Sequence, residues 1–323
     1  MKLKTFILFL SLFNTSIIIA QTCCSGGIPL SNNLGLATLE KGSFQIGLHF
    51  DYNNLNTLNS GTQKLNDDSR LRITHSVLLN TGYSLTNNLS IEGLFTWVNQ
   101  RRKITQFGNE NLDQTSGIGD AVLLLKYNFK NILGKNSTIN LGAGAKLPIG
   151  SSTETNNQGI TFNADLQPGS NAWDILYWFA TSKNFDFRPS FIVSTRFVYR
   201  STGTNKSYFG DSTYKFGNEV QSYLQFSDEF LFLKTLISPS ISIKYRGASQ
   251  DKISGFNLEN TGGKWISVIP SFIINVSQNL AFSTKAEIPI YGNVDGTQLT
   301  PTFRLTTGFL YKIPRKKNNL ILN

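Results

Sequence analysis

The chain reads as an all-β protein: a transmembrane antiparallel up-and-down β-barrel of about twelve strands. Three observations predict this. Apolar and polar residues alternate with period two in run after run, the period of a pleated strand with one greasy and one polar face. The links between runs are alternately long and short. An export signal opens the chain, and no later run reaches the roughly 18 apolar residues of a spanning helix.

The opening, "MKLKTFILFLSLFNTSIIIAQTCC", has a basic start at Lys2 and Lys4, an apolar run from Phe6 to Ala20, and a small residue before Gln21. It is expected to be a signal peptide over 1–20. Residues 21–43 are expected to form a periplasmic or plug segment, 44–313 the barrel, and 314–323 a basic tail containing Arg315, Lys316 and Lys317. Strands follow in order at 44–52, 71–85, 89–97, 120–129, 138–147, 172–181, 187–200, 214–226, 232–246, 265–276, 280–290 and 302–313. The stretch "TLISPSISIKYRG" shows the pattern: Ile237, Ile241, Ile243 and Tyr245 share one parity, Ser238, Ser240, Ser242, Lys244 and Arg246 the other.

The links at 53–70, 100–117, 148–171, 201–213, 247–263 and 291–301 are long. They interleave with the short "TNN", "KNILGKN", "SKNFD", "SDE" and "SQN". Outer-membrane barrels place short turns on the periplasmic side and long loops outside. A soluble sandwich has no reason to alternate link length. Tyr52, Tyr83, Trp97, Tyr127, Phe129, Trp173, Tyr199, Tyr245, Phe303 and Tyr311 lie near strand ends on the apolar parity, as interfacial girdles require. The greasy parity therefore faces lipid.

Composition narrows the function. Charged residues are only 15% of the chain, with 24 Phe and 27 Gly. The net charge is +10, or +8 once Lys2 and Lys4 are removed, yet it is scattered among strands without the footprint of a nucleic-acid binder. Two histidines, His49 and His75, are too few for a histidine metal cluster, and no cofactor is expected. A Ser-His-acid hydrolase would have to use one of them, and no hydrolase motif surrounds His75, which lies on the lipid parity. Cys23 and Cys24 are adjacent, so they cannot staple distant parts of the fold. They read as a strained disulfide, a soft-metal ligand pair or residues without chemistry.

The segments "GIGDAVLLLKYNF" (117–129), "GAGAKLPIG" (142–150), "LQPGSNAWD" (166–174) and "AEIPIYGNVDGTQLTPTFRLTTGFLYKI" (286–313) resemble the outer-membrane transporters of the phenol meta-cleavage pathway (MetA-like) family, relatives of the long-chain fatty-acid channels. The resemblance implies passage of a small, often apolar or aromatic, solute through the outer membrane. Expected partners are outer-membrane lipid, the solute and the barrel assembly machinery, for a monomer. Inward-facing Arg196, Lys244, Arg246, Lys126, Glu92 and Trp178 are the candidate solute-binding residues, and their basic surplus would favour anions. The other readings are a packed barrel serving as an envelope scaffold and an outer-membrane hydrolase. Pro189, Pro239, Pro270 and Pro289 lie inside alternating runs and cannot donate to a ladder, so bulges are expected there. The fatty-acid channels imply that such a kink can open a sideways exit.

Overall fold

A computed structural model describes residues 21–22 and 34–315. The expected signal peptide, Cys23, Cys24 and the tail beyond Arg315 lie outside the described residues. Twelve strands matter for the site: β1 (Phe44–Gly61), β2 (Arg70–Ser84), β3 (Leu89–Gln106), β4 (Asn109–Ile118), β5 (Ala121–Lys130), β6 (Ser137–Leu147), β7 (Asp174–Phe185), β8 (Arg188–Ser201), β9 (Glu219–Ser227), β10 (Thr235–Ala248), β11 (Gly263–Asn275) and β12 (Leu280–Ile313). Apart from β4, each pairs antiparallel with the next along this circuit and β12 returns to β1, so the sheet closes. β4 stands outside this circuit, paired along the outer half of β3.

Eleven continuous strands thus form the wall. The last is bent back on itself: Lys312 donates to the Asn279 carbonyl at 2.8 Å, and the Phe282 and Phe309 rings pack 5.2 Å apart. The bend falls at Asp295-Gly296, where Gly296 takes a left-handed φ of 68°. Counting its two arms, 280–294 and 297–313, gives the expected twelve staves.

The expected parity holds on the outside. Leu48, Phe50, Trp97, Leu125, Tyr127, Tyr177, Ile243, Phe309 and Tyr311 are exposed along the wall, an apolar belt turned outward. Of the girdle residues, Tyr52 and Tyr199 are half-buried against neighbouring rings and the others exposed. At one rim, "TNNL" and "SQNL" make the same turn. The Thr86 and Ser277 hydroxyls each accept the N–H groups two and three residues on, which ends the strands within a few residues.

The long links depart from simple loops. Residues 100–117 continue β3 and return as β4, tied by Arg102–Asp113 at 2.8 Å and Lys103–Glu110 at 2.6 Å. Outside the bilayer a strand has no lipid-facing side, so its polar sequence carries no alternation to reveal it. Residues 202–218 and 249–262 supply four short strands, Asn205–Tyr208, Ser212–Lys215, Lys252–Ile253 and Phe256–Asn257, that form a separate cap sheet. Expected strand 214–226 therefore begins only at Glu219, because residues 212–215 belong to the cap.

The prolines behave unequally. Register shifts accompany Pro189 and Pro289, and pairing between β11 and β12 lapses opposite Pro270 before resuming in the same register. Opposite Pro239 the pairing of β10 lapses in the same way: it stops at Ser227 and resumes in the same register where Phe230–Phe232 pairs with Thr235–Ile237, with the Asp228 N–H donating to the Pro239 carbonyl at 3.2 Å in between.

Candidate functional site

The lumen is polar over most of its surface, as the inward parity requires, with one apolar patch. Leu78 of β2, Leu94 of β3, Val122 of β5 and Leu176 of β7 all point inward and are buried. Leu124, Trp178, Val198 and Ala180 extend the patch. Reading polar residues as the inward set missed these side chains apart from Trp178. The signal was present in "VLLLK", where both parities of β5 are apolar, and in the Leu78-Leu79 and Leu94-Phe95 doublets.

Leu34, ahead of β1, sits in this patch. From there residues 34–43 run along the inner wall toward the short-turn rim. Leu39 donates to Ser84 Oγ, Lys41 to Asn87 Oδ1 and Gly42 to the Ser84 carbonyl.

Four of the six sequence-predicted residues meet around the start of this segment. Glu92 and Lys126 face each other across adjacent strands at 2.7 Å, both nearly fully buried. Glu92 accepts the Gly35 N–H at 2.9 and 3.1 Å and the Leu36 N–H at 3.1 Å. Lys126 donates to the Leu36 carbonyl, and Arg196 Nη1 donates to the Leu34 carbonyl at 3.0 Å. The Trp178 ring lies under Gly35 with Lys126 5.5 Å from its centroid. Gly35 has φ +111°, and a Cβ there would come within 3.0 Å of Trp178, so both backbone and space demand glycine. Taking two charges out of water costs several kcal/mol each. Their mutual attraction and the bonds to the segment offset that cost.

Lys244 and Arg246 stand apart from this group. Lys244 pairs with Glu287 at 2.8 Å and lies 5.7 Å from the Tyr223 ring, whose centroid is 4.1 Å from the Arg196 guanidinium. Arg246 pairs with Glu219 at 3.0 Å and covers Trp265. With Glu92 on Lys126, carboxylates thus neutralise three of the four cations from which an anion preference was expected.

Above the apolar patch, polar residues converge on Asp120. Its carboxylate accepts from Lys146 at 2.9 Å, Gly150 N–H at 3.2 Å, Ser170 N–H at 3.1 Å and Ser170 Oγ at 2.6 Å. Lys146 also reaches Asp174 at 3.2 Å. The "GIGD", "KLPIG" and "LQPGSNAWD" segments, far apart in sequence, are therefore one structural unit. It folds the link 148–173 into the barrel, where Arg72 of β2 bonds Asp165 at 3.0 Å and the Thr115 hydroxyl and Gln100 amide donate to the Leu166 carbonyl.

The cap rests on this link. Ala164 packs with Tyr208, Tyr214 and Phe216, and Tyr214 donates to Asp251 at 2.5 Å while Gly217 N–H donates to the same carboxylate at 2.7 Å. Burial raises the Asp251 carboxyl and pushes the Tyr208 hydroxyl up to about 12. His75 lies on the outward parity between the Phe50 and Tyr52 rings, at 5.8 and 5.3 Å.

A closed antiparallel wall with an apolar outer belt, short turns at one rim and long links at the other defines an outer-membrane β-barrel, and such a chain resides in the outer membrane. Residues 50–305 match the family described as "Putative MetA-pathway of phenol degradation", and the chain belongs to that family. The resemblance read from the quoted segments is borne out. The fold is similar to that of the COG4313 outer membrane channel from Pseudomonas putida F1, with TM-score 0.66 and 15% identity over 85% of this chain and 97% of that one. The β domain of the Bordetella autotransporter BrkA aligns at TM-score 0.45 and 9% identity over 84% and 99% of the two chains. The CymD monoaromatic hydrocarbon channel aligns at 0.39 and 9% over 87% and 90%, and these two likenesses are no more than those of one barrel to another. No curated protein matches the chain by sequence.

Proposed function

We propose that the protein is a passive outer-membrane channel for a small apolar solute, with residues 21–43 as a plug and 44–313 as the barrel of an exported monomer. The observation that carries this is the inward patch of Leu78, Leu94, Val122 and Leu176, an apolar surface inside a polar lumen, beside Glu92, Lys126, Trp178 and Arg196. A scaffold that only needed filling has no use for a patch of wall side chains closed by a separate segment. An apolar solute leaving water gains about 25 cal/mol per Å² of surface covered, and such a patch is where it would rest. Lys244 and Arg246 then hold the wall through Glu287 and Glu219, and contact solute less than the other four.

The test is flux from liposomes carrying the purified protein. A small neutral aromatic should leave faster than from protein-free vesicles, and a sugar of similar mass should not. Equal flux of both would mark a general porin, and flux of neither would leave the barrel a scaffold.

A further inference from the structure

Residues 34–36 show what the lumen is built to hold. Leu34 fills the apolar patch, Glu92 takes two N–H donors, and Arg196 and Lys126 each take a carbonyl. One group at this site is left over. The Trp178 indole Nε1 is buried and, among the described residues, donates to nothing, although the ring carbon that bears it lies 3.7 Å from where a Gly35 Cβ would stand. A buried N–H without an acceptor is costly, so the segment is an incomplete partner for its own cradle. The carbonyls of the segment are met by the Arg196 and Lys126 cations, and Lys126 also pairs with Glu92.

We infer that this cradle, which rests on the channel reading above, is a recognition site for an amphiphilic monoanion, and that Leu34-Gly35-Leu36 is its tethered competitor. The ligand that fits has a branched apolar group, an amide N–H beside it and a carboxylate: the chemistry of an N-acylated apolar amino acid. The apolar group replaces Leu34 against Leu78, Leu94, Val122 and Leu176. The amide N–H donates to Glu92. The carboxylate accepts from Arg196 and from the Trp178 N–H that the segment leaves unmet, a charge-assisted pairing stronger than Arg196 makes with a carbonyl. A neutral amide of the same shape makes the weaker contacts alone.

The experiment is a calorimetric titration of the full-length protein in detergent with N-acetyl-leucine and, separately, N-acetyl-leucinamide. Gly35→Val cannot keep φ +111° beside Trp178 and expels the segment, as does Leu34→Asp in the apolar patch by an independent route. Both leave the wall intact, and heat-modifiable gel mobility identifies the folded barrel. N-acetyl-leucine should bind either variant about tenfold more tightly than it binds the parent, and about tenfold more tightly than the amide does. Arg196→Met in the Gly35→Val background should remove the preference for the carboxylate. The Trp178 emission should shift on binding, and Trp178→Phe should silence that shift. Absence of heat in both segment variants at about 10 mM ligand, or equal binding of acid and amide, overturns the inference. Because heat is read without flux, binding with no solute passage would sink the channel reading alone, and passage with no binding would sink this one alone.

Discussion

Asp165 should latch the inward link. Arg72 and Asp165 are 1% and 5% exposed, and besides that carboxylate Arg72 has the Gln100 side chain and the Asp165 carbonyl as acceptors. Removing one member of a buried pair costs about 3–5 kcal/mol because the other stays buried and uncompensated. Here the cost need not unfold the barrel, since the link can swing outward and let water reach Arg72. It therefore appears as a shift in the link's own equilibrium, up to about a thousandfold toward the released form at about 4 kcal/mol. Ala164→Cys reports on this shift, because Ala164 is buried beneath the cap. With Cys23 and Cys24 replaced by Ser, the thiol should react slowly with a membrane-impermeant maleimide on intact cells. Adding Asp165→Ala should speed labelling by about a hundredfold or more, short of the upper bound because the Asp120 bonds still hold the base of the link. Arg72→Met with Asp165→Leu should label less than the sum of the single effects implies. Labelling within about threefold of the parent in Asp165→Ala would refute the latch.

The cap should respond to pH through Asp251, which lies beyond the spanning segments. Its folded pKa is raised by burial, so its stabilising share is full below the ordinary carboxylate value and is lost as pH rises through the raised value. Hydrogen exchange of the Tyr214 and Gly217 amides, corrected for intrinsic rates, should show weaker protection at pH 8 than at pH 4, and Asp251→Asn should abolish the difference. Topology is checked by tags. One inserted at the exposed Phe107-Gly108 tip should be reached by antibody on intact cells and one at 277–279 should not; the opposite pattern would invert the barrel.

Lipid makes the wall legible. Every spanning strand must show an apolar side to the bilayer, so alternation survives in Phe44–Tyr52 or Ile237–Tyr245 whatever else the strand does. Beyond the bilayer that demand ends, and β4, the cap strands and the outer end of β1 read as links though they are paired. The lumen obeys neither rule alone. Glu92, Lys126 and Arg196 could be read as inward because they break the apolar parity, and Trp178 because it shares the parity of Asp174, but Leu78, Leu94, Val122 and Leu176 look like lipid-facing residues in the wrong register. No local pattern shows that Leu34 will cover them, since its contacts lie on four other strands. The partners of Lys244 and Arg246 were equally hidden, because Glu287 and Glu219 are fixed by register across the closed sheet.

The seam between β1 and β12 joins residues about as far apart as the chain allows: Arg304 reaches Asp51 across 253 positions and Thr300 reaches Thr57 across 243. Gly35 and Leu36 reach Glu92 across only 57 and 56. Short loops close before long ones at a given stability. During assembly the N-terminal segment can thus lie down on β3 and β5 while the sheet is still open. The wall then curls around it, and the last zip of the seam shuts a lumen that is already occupied. The segment would be wrapped in place, and its first exit would come only when the finished barrel lets it go.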